Sequence, residues 1–303
     1  MNSIQLSHTH LLPEVAQTLS WSLDKRIAQV WSDSFISYPA SEKITFKIEQ
    51  IRKRPRSIRP QNLLITGYPG TGKTAILNEV YRRNPEVNTP DFIRKPVIFA
   101  ETPAGAGEGR LLGAILRALG YHSDWDRGSI DSKTRKVLNA LQKCQVELLM
   151  IDEVNNLLGG GKKTWEALRT LKEISNQLRI PIVFAGTEDA AVVLEEDSQL
   201  TSRIDVTRLR TWEYCKEFAK LLYDVESTIP LARPSRLYSK EMALEILKLS
   251  SSLNPQNRKG VLFDILKLVR SSAEYELRNG SEIISFETLK LMASDMASDW
   301  SAR

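Results

Sequence analysis

The sequence contains little cysteine, little histidine and no long apolar run. Its 303 residues include 2 cysteines and 3 histidines. Cys144 and Cys215 lie far apart and form no CxxC motif, so we expect reduced thiols and no zinc site. No eighteen consecutive residues are apolar, so the sequence contains no typical transmembrane helix. Residues 1–14 lack both a basic n-region and an apolar h-region, so we expect no secretory signal and a cytoplasmic location.

Glycine and proline are also sparse, with 15 and 13 residues, which excludes a collagenous or low-complexity chain. What is present is an ordinary globular composition, 42% hydrophobic and 26% charged. Lysine and arginine number 42 against 37 acidic residues, a net charge of +5. This excess is compatible with a polyanionic partner but does not require one.

Four short, mainly apolar runs lack polar alternation, as in parallel strands that are covered on both faces. These strand candidates are 63–66, 97–100, 147–151 and 182–185. Helical periodicity between them predicts a doubly wound α/β domain over 61–207. We expect a helical N-terminal leader over 1–60. After 207 the strand signals stop, and apolar residues at helical spacing predict an all-helical domain over 208–303.

Residues 67–74 read Gly-Tyr-Pro-Gly-Thr-Gly-Lys-Thr and match GxxxxGK[ST] between a predicted strand and a predicted helix. The glycines let backbone N–H groups curve round a phosphate, and the helix N-terminus adds its positive pole. We expect Lys73 to reach the β- and γ-phosphates of ATP and the Thr74 hydroxyl to bind Mg²⁺. The predicted nucleotide-binding residues are Gly67, Tyr68, Pro69, Gly70, Thr71, Gly72, Lys73, Thr74 and Ala75.

Asp152 and Glu153 directly follow the run 147–151. Open parallel sheets bind ligands at the carboxyl ends of their strands, where both groups would lie. We expect Asp152 to complete the Mg²⁺ shell and Glu153 to polarise the attacking water. This acidic pair favours hydrolysis over a kinase reaction, since a kinase excludes water from the γ-phosphate. Thr187, after the next predicted strand, is expected to bond the γ-phosphate or the water.

These elements in this order resemble an AAA+ ATPase, that is, a P-loop NTPase with a C-terminal helical lid. The closer likeness is to the TniB/TnsC-like ATPases of DNA transposition, although Asn155 stands where many relatives have histidine. The segments that carry it are 26–31, 37–39, 52–59, 60–65, 151–158, 177–183, 186–187, 198–203 and 221–235.

The resemblance implies an ATP-dependent regulator that forms rings or helical filaments on duplex DNA, with ATP between subunits. It implies partners of two kinds, a TniQ/TnsD-like targeting protein and a DDE-type transposase. It also implies that Arg203, which we place on a helix after the 182–185 strand, is an arginine finger acting in trans. Arg208 and Arg210 compete with Arg203 for that role.

Three basic clusters are candidates for contact with DNA. The resemblance favours the cluster Arg127, Lys133 and Arg135 and the pair Lys162 and Lys163. The densest run, 52–59, is expected to face a neighbouring subunit or solvent, close to the nucleotide pocket. No reading helix stands out, so we expect sequence-independent phosphate contacts with strong salt sensitivity.

Three alternatives stay open at this point. A replication initiator or loader would carry a dedicated DNA-reading domain. A small-molecule phosphotransferase would show no DNA-stimulated turnover. An ATP-gated scaffold would signal by binding ATP without hydrolysing it.

Overall fold

A computed structural model describes residues 10–105, 107–121, 128–157, 161–191, 202–254 and 256–301. The chain divides into two compact units, Ala40–Arg210 and the pair of segments Met1–Pro39 and Thr211–Arg303. The expected leader over 1–60 is therefore not a unit of its own. Ile48 and its neighbours are buried within the first unit, whereas Val30 and Tyr38 belong to the helical core of the second.

The first unit contains a five-stranded parallel sheet in the order β4-β5-β6-β1-β7. A separate antiparallel pair, β2 with β3, precedes β4. The strands are β1 Asn62–Gly67, β2 Val87–Asn88, β3 Ile93–Arg94, β4 Val97–Glu101, β5 Leu148–Asp152, β6 Ile182–Gly186 and β7 Ile204–Leu209.

The described helices alternate with the strands in the first unit and make up the second. They are α1 Pro13–Gln17, α2 Leu23–Val30, α3 Pro39–Lys53, α4 Lys73–Arg83, α5 Glu108–Ala118, α6 Ile130–Lys143, α7 Lys162–Leu178, α8 Lys216–Ser227, α9 Lys240–Ser251, α10 Leu262–Asn279 and α11 Phe286–Ser301. The predicted α/β class with a helical C-terminal region is confirmed. No helix in the described part of the chain is long and apolar enough to span a bilayer.

Our four strand candidates do not include β7, which pairs with β1 at the edge of the sheet. This edge strand reads Ile-Asp-Val-Thr-Arg-Leu and is buried only at Leu209. An edge strand with polar residues in alternation lacks the continuous apolar run by which we recognised the central strands. Arg203 consequently lies in the turn before β7 and not on a helix.

The helical unit has its own core and its own internal ion pair. Fully buried apolar side chains such as Phe218 and Leu268 form its centre. The half-buried Arg26–Glu282 pair joins α2 to the segment between α10 and α11 at 2.6 Å, and Arg26 also donates to the Pro230 carbonyl oxygen. Since these contacts join segments distant in sequence, they hold the N-terminal helices to the C-terminal ones.

Gly260 occupies the tightest position of the helical unit. Its φ is +73°, and its carbonyl oxygen accepts a hydrogen bond of 2.7 Å from the Trp212 N–H. A Cβ at this position would lie 1.8 Å from the Trp212 carbonyl oxygen. Because that neighbour is backbone, it cannot rotate away. Gly280 has a nearly equal φ of +74° but nothing within 4 Å of an added Cβ.

We predict that Gly260→Ala lowers the free energy of unfolding by more than about 3 kcal/mol, the sum of backbone strain and overpacking. Gly280→Ala introduces the backbone strain alone and should lower the free energy of unfolding by about 1 kcal/mol. Urea denaturation of both variants measures the difference. Equal destabilisation would show that the close approach of Gly260 to Trp212 has no energetic weight.

Candidate nucleotide-binding site

The loop between β1 and α4 is built on glycines that the backbone requires. Gly70 and Gly72 have φ of +78° and +97°, in the left-handed region that side chains other than glycine rarely adopt. At Gly67 an added Cβ would meet the Leu209 carbonyl oxygen of β7 at 2.7 Å. The Thr71 hydroxyl donates back to the Tyr68 carbonyl oxygen at 2.8 Å and closes the turn. The sequence can therefore wrap its backbone tightly around a small anion.

Lys73 is the first residue of α4, and its side chain folds back into this loop. Its Nζ donates to the carbonyl oxygens of Gly67 at 2.9 Å and Tyr68 at 3.2 Å. Burial lowers the pKa of Lys73, and the nearby Glu153 and Asp152 carboxylates oppose that shift. A buried ammonium held only by carbonyl oxygens is well suited to exchange them for phosphate oxygens, which carry more negative charge.

Thr74 and Asp152 meet across two elements of the fold. The Thr74 hydroxyl donates to Asp152 Oδ2 at 2.6 Å, and the Glu153 N–H donates to Asp152 Oδ1 at 2.8 Å. Burial raises the pKa of Asp152, while these two hydrogen bonds act in the opposite direction. The two side chains that the sequence assigns to Mg²⁺ thus lie side by side in the structure.

This donor set fits Mg²⁺. The ion is commonly held by one or two protein oxygens, with waters and substrate phosphates completing the octahedron. A hydroxyl and a carboxylate side by side supply such a pair. Among the residues that the structure describes, no cluster of three or more His, Cys, Asp or Glu could hold a metal alone. A metal here would depend on phosphate oxygens for the rest of its shell.

Asn155 is a residue of this site to which our sequence analysis gave no role. Its Nδ2 donates to Glu153 Oε2 at 3.0 Å, and its Oδ1 accepts from the Thr187 N–H at 3.1 Å. The amide therefore bridges the carboxylate after β5 and the backbone after β6. Gly186 makes room for it, because an added Cβ would lie 2.9 Å from Asn155 Oδ1. The sequence signals were its place two residues after Glu153 and its difference from the histidine of many similar ATPases.

Thr102, which follows β4, adds an unused hydrogen-bonding group beside Asp152. Its N–H donates to the Asp152 carbonyl oxygen at 3.0 Å, and its carbonyl oxygen accepts from Asn156 Nδ2 at 2.8 Å. Its hydroxyl is buried and, among the described residues, has no hydrogen-bond partner. Such orphaned groups are uncommon in folded proteins and mark positions that a ligand or water can satisfy.

Arg203 lies at the opposite end of the sheet from these groups. Its carbonyl oxygen accepts from the N–H of Asn62, the first residue of β1, and its guanidinium donates to Asn176 Oδ1 at 3.1 Å. The six residues of β1 separate this point from Gly67 by roughly 17 Å, at about 3.3 Å per residue. Arg203 thus cannot reach the phosphate-binding loop of its own chain. Its competitor Arg208 pairs with Glu188 at 2.5 Å.

The candidate DNA contacts have different surroundings. Arg127 lies outside the described residues. Lys133 is only 5% exposed, and its Nζ lies against the Gly109 carbonyl oxygen at 3.5 Å. We expected Lys133 to contact DNA at the surface, but its side chain is buried. Arg135, Lys162 and Lys163 are exposed. The Lys163 side chain lies beside Gly107, where an added Cβ would be 3.8 Å from it.

The expectation that the 52–59 run lies close to the nucleotide pocket is wrong. This run links the end of α3 to the start of β1, whereas the phosphate-binding loop follows the end of β1. The two features are therefore at opposite edges of the sheet. The strand polarity decides this, because both are attached to the same strand.

One family model matches more than half of this chain, and more distant relatives share parts of its sequence or its fold. The profile of a family described as "Bacterial TniB protein" matches residues 26–214. Curated relatives include the chaperone ClpB of Blochmanniella floridana, 30% identical over 54% of this chain and 17% of the ClpB chain. ClpB of Vibrio vulnificus is 28% identical over 63% of this chain and 20% of its own. The chain spans about a fifth of the length of these relatives.

Solved structures show the same fold at low identity. The Aeropyrum pernix ORC2 protein, solved in ADPNP–ADP complexes, has a TM-score of 0.62 at 15% identity, over 88% of this chain and 71% of that one. Aeropyrum pernix ORC1, solved in complex with DNA, has a TM-score of 0.58 at 18% identity, over 89% and 69%. These likenesses confirm the AAA+ fold of an α/β sheet domain with a helical C-terminal region.

We predict that Gly186→Ala displaces Asn155 and lowers the free energy of unfolding by about 1–3 kcal/mol, as overpacking does elsewhere. The added Cβ would also lie 2.9 Å from Val154 Cγ1 and 3.0 Å from the Ala190 Cβ, so the site is crowded on three sides. Gly109→Ala is the control, because its added Cβ would have no neighbour closer than 3.9 Å. Because Gly109 lies in a helix, Gly109→Ala should be neutral or stabilising by up to about 1 kcal/mol. Equal urea midpoints for the two variants would contradict the crowding.

Proposed function

The chain belongs to the TniB family, and from this premise we propose that it is an ATP-dependent AAA+ regulator of DNA transposition. In this role it would assemble on duplex DNA and link a target-selecting protein to a transposase. The observation that carries the proposal is the family match over 26–214. The matched region contains the phosphate-binding loop, the Thr74–Asp152 pair and Glu153. The proposed substrate is ATP, with Mg²⁺ as its metal.

Within the subunit, each residue of the site has a distinct task in ATP hydrolysis. Lys73 and the loop N–H groups hold the β- and γ-phosphates, and Thr74 and Asp152 hold the Mg²⁺ that neutralises phosphate charge. Glu153 accepts a hydrogen bond from the attacking water and orients it toward the γ-phosphate. Asn155 keeps the Glu153 carboxylate directed toward the end of β6. Thr187, which follows β6, senses the γ-phosphate.

Arg203 completes the site of a neighbouring subunit. The residue lies at the amino edge of the sheet, roughly 17 Å of strand away from its own phosphate-binding loop, so a catalytic role requires a second copy. An arginine supplied in trans stabilises the charge that develops on the transferred phosphoryl group. Hydrolysis is then coupled to assembly, because isolated subunits lack this cation.

Duplex DNA is the proposed template for that assembly. Lys163 lies beside the start of α5, and Lys162 and Arg135 are exposed on the two helices that follow. Contacts of this kind go to phosphates and carry no sequence information. Target choice then belongs to the proposed TniQ/TnsD-like partner, and DNA joining to the DDE-type transposase. The proposed location is the cytoplasm, in association with the nucleoid.

A replication initiator is the second candidate, since two of the similar solved structures are ORC proteins. That likeness is at 15% and 18% identity and concerns the fold. The two functions separate experimentally. A transposition regulator binds DNA of any sequence and stimulates a transposase, whereas an initiator prefers an origin sequence.

Two substitutions test the ATP cycle. Lys73→Ala removes the ammonium that holds the phosphates and should abolish binding of a fluorescent ATP analogue and all turnover. Glu153→Gln keeps the shape of the side chain but accepts the water proton poorly. It should lower the hydrolysis rate by about 10²–10⁴-fold with ATP binding retained, leaving the protein locked on DNA.

Phosphate release and DNA dissociation measure these outcomes. If Glu153→Gln leaves DNA release and transposition unchanged, hydrolysis is dispensable and the chain is an ATP-gated scaffold. If the unsubstituted protein binds no ATP, the proposed function is wrong.

A further inference from the structure

A basic cavity opens at the amino edge of the sheet, away from the nucleotide site. Its volume is about 630 Å³, and it lies between the segment from α3 to β1 and the residues that precede β5 and β6. Six cationic side chains line it together with one carboxylate, Glu147. The cations are Arg52, Lys53, Arg54, Arg56, Arg59 and Arg179.

The one carboxylate in the lining already forms ion pairs within the protein. Glu147 pairs with Arg52 on one oxygen and with Arg94 of β3 on the other. Arg56 reaches only the carbonyl oxygens of Val146 and Leu178, both at 3.3 Å. These distances exceed the usual range of an N–H···O hydrogen bond, so Arg56 is held weakly.

Three of the cations have no partner among the described residues. Within the part of the chain that the structure describes, Lys53, Arg59 and Arg179 make no side-chain hydrogen bond or ion pair, and all three are exposed. Concentrated positive charge of this kind raises the free energy of the folded protein through self-repulsion. An anion that neutralises it is therefore bound favourably.

The backbone around the cavity is fixed in a way that favours a preformed site. Pro55, Pro60 and Pro181 contribute to the lining and restrict the φ of their segments. Arg179 follows α7 with a φ of +55°, in the left-handed region where glycine or asparagine is usual. The backbone thus holds a strained arginine at the rim, as binding sites often do.

The lining indicates which anion would bind. It contains no aromatic side chain on which a base could stack, and Gln61, the one amide in it, already accepts from Arg54. Recognition is therefore confined to charge and to the forked guanidinium groups that suit phosphate oxygens. A free nucleotide would leave its base without a partner, whereas a phosphodiester backbone offers phosphates alone.

We propose that this cavity is a second phosphate-binding site, and that its ligand is the phosphodiester backbone of DNA. The inference rests on the proposed function in one respect, that the chain binds DNA. It adds a contact at the amino edge of the sheet, roughly 17 Å of strand from the phosphate-binding loop and independent of the lysines beside α5. One subunit would then engage DNA through two separate surfaces.

The test compares R59Q/R179Q with the control K25Q/K43Q, which removes two exposed cations from α2 and α3. Binding of a labelled 40-base-pair duplex of arbitrary sequence is followed by fluorescence anisotropy at several NaCl concentrations, with a slowly hydrolysed ATP analogue present. Each lost phosphate contact reduces the slope of log K against log salt by about 0.9. We expect R59Q/R179Q to reduce it by about 1.8 and to weaken binding roughly tenfold to thirtyfold at 150 mM salt.

The control should bind DNA within about twofold of the unsubstituted protein, and both variants should keep its melting temperature, because the four residues are exposed. Equal slopes for R59Q/R179Q and the control would overturn the cavity site while leaving the proposed function intact. Failure of the unsubstituted protein to bind DNA would overturn both.

A second arm identifies the source of the phosphates. In a Lys73→Ala background, residual binding of a fluorescent ATP analogue that disappears on adding R59Q/R179Q would show a nucleotide in the cavity. That result would overturn the assignment to DNA. No binding of the analogue in the Lys73→Ala background, with DNA binding weakened by R59Q/R179Q, supports it.

Discussion

The parallel pairing of β1 with β6 and of β6 with β5 decides where every reactive group of this chain lies. Parallel strands end at the same edge of a sheet, so three loops distant in sequence meet there. The phosphate-binding loop follows β1, Asp152 ends β5, and Thr187 follows β6. The Thr74–Asp152 hydrogen bond and the Asn155 bridge exist only because the register holds these three ends level. A one-residue slip would reverse the direction of the side chains along a strand.

The same polarity also places basic side chains together at the opposite edge of the sheet. At the amino ends of the strands lie Arg203, which cannot reach the nucleotide of its own chain, and the basic cavity beneath the turn into β1. The proposed role of Arg203 in a neighbouring subunit would require head-to-tail association, with the phosphate-binding loop of one subunit facing the arginine edge of the next. Such heterologous contacts generate rings or open helical filaments, according to whether the rotation closes.

Motifs with a strict local chemistry were predictable from the sequence. The glycines at 70 and 72 have positive φ, and Lys73 and Thr74 stand at the start of α4, so one pattern predicted the geometry of the loop. The central strands were predictable because burial on both faces leaves an unbroken apolar run. Helix α6 begins at Ile130, because the Ser129 hydroxyl caps it by accepting from the Ser132 N–H.

Features that depend on tertiary contact were not predictable. The polar edge strand β7 gains its pairing from β1 and not from its own pattern, which is why Arg203 was placed on a helix. Asn155 has no motif, because its role arises from where Thr187 and Gly186 come to lie. The division of residues 1–60 between two units, and the burial of Lys133, likewise follow from packing partners far away in the chain.

Electron microscopy of the purified protein with a slowly hydrolysed ATP analogue, with and without duplex DNA, tests the central claim most directly. The account predicts rings or filaments that require both ligands, with Arg203 of one subunit at the phosphates of the next. Dispersed single subunits in every condition would contradict it, because the arginine edge and the nucleotide edge would then have no partner in common.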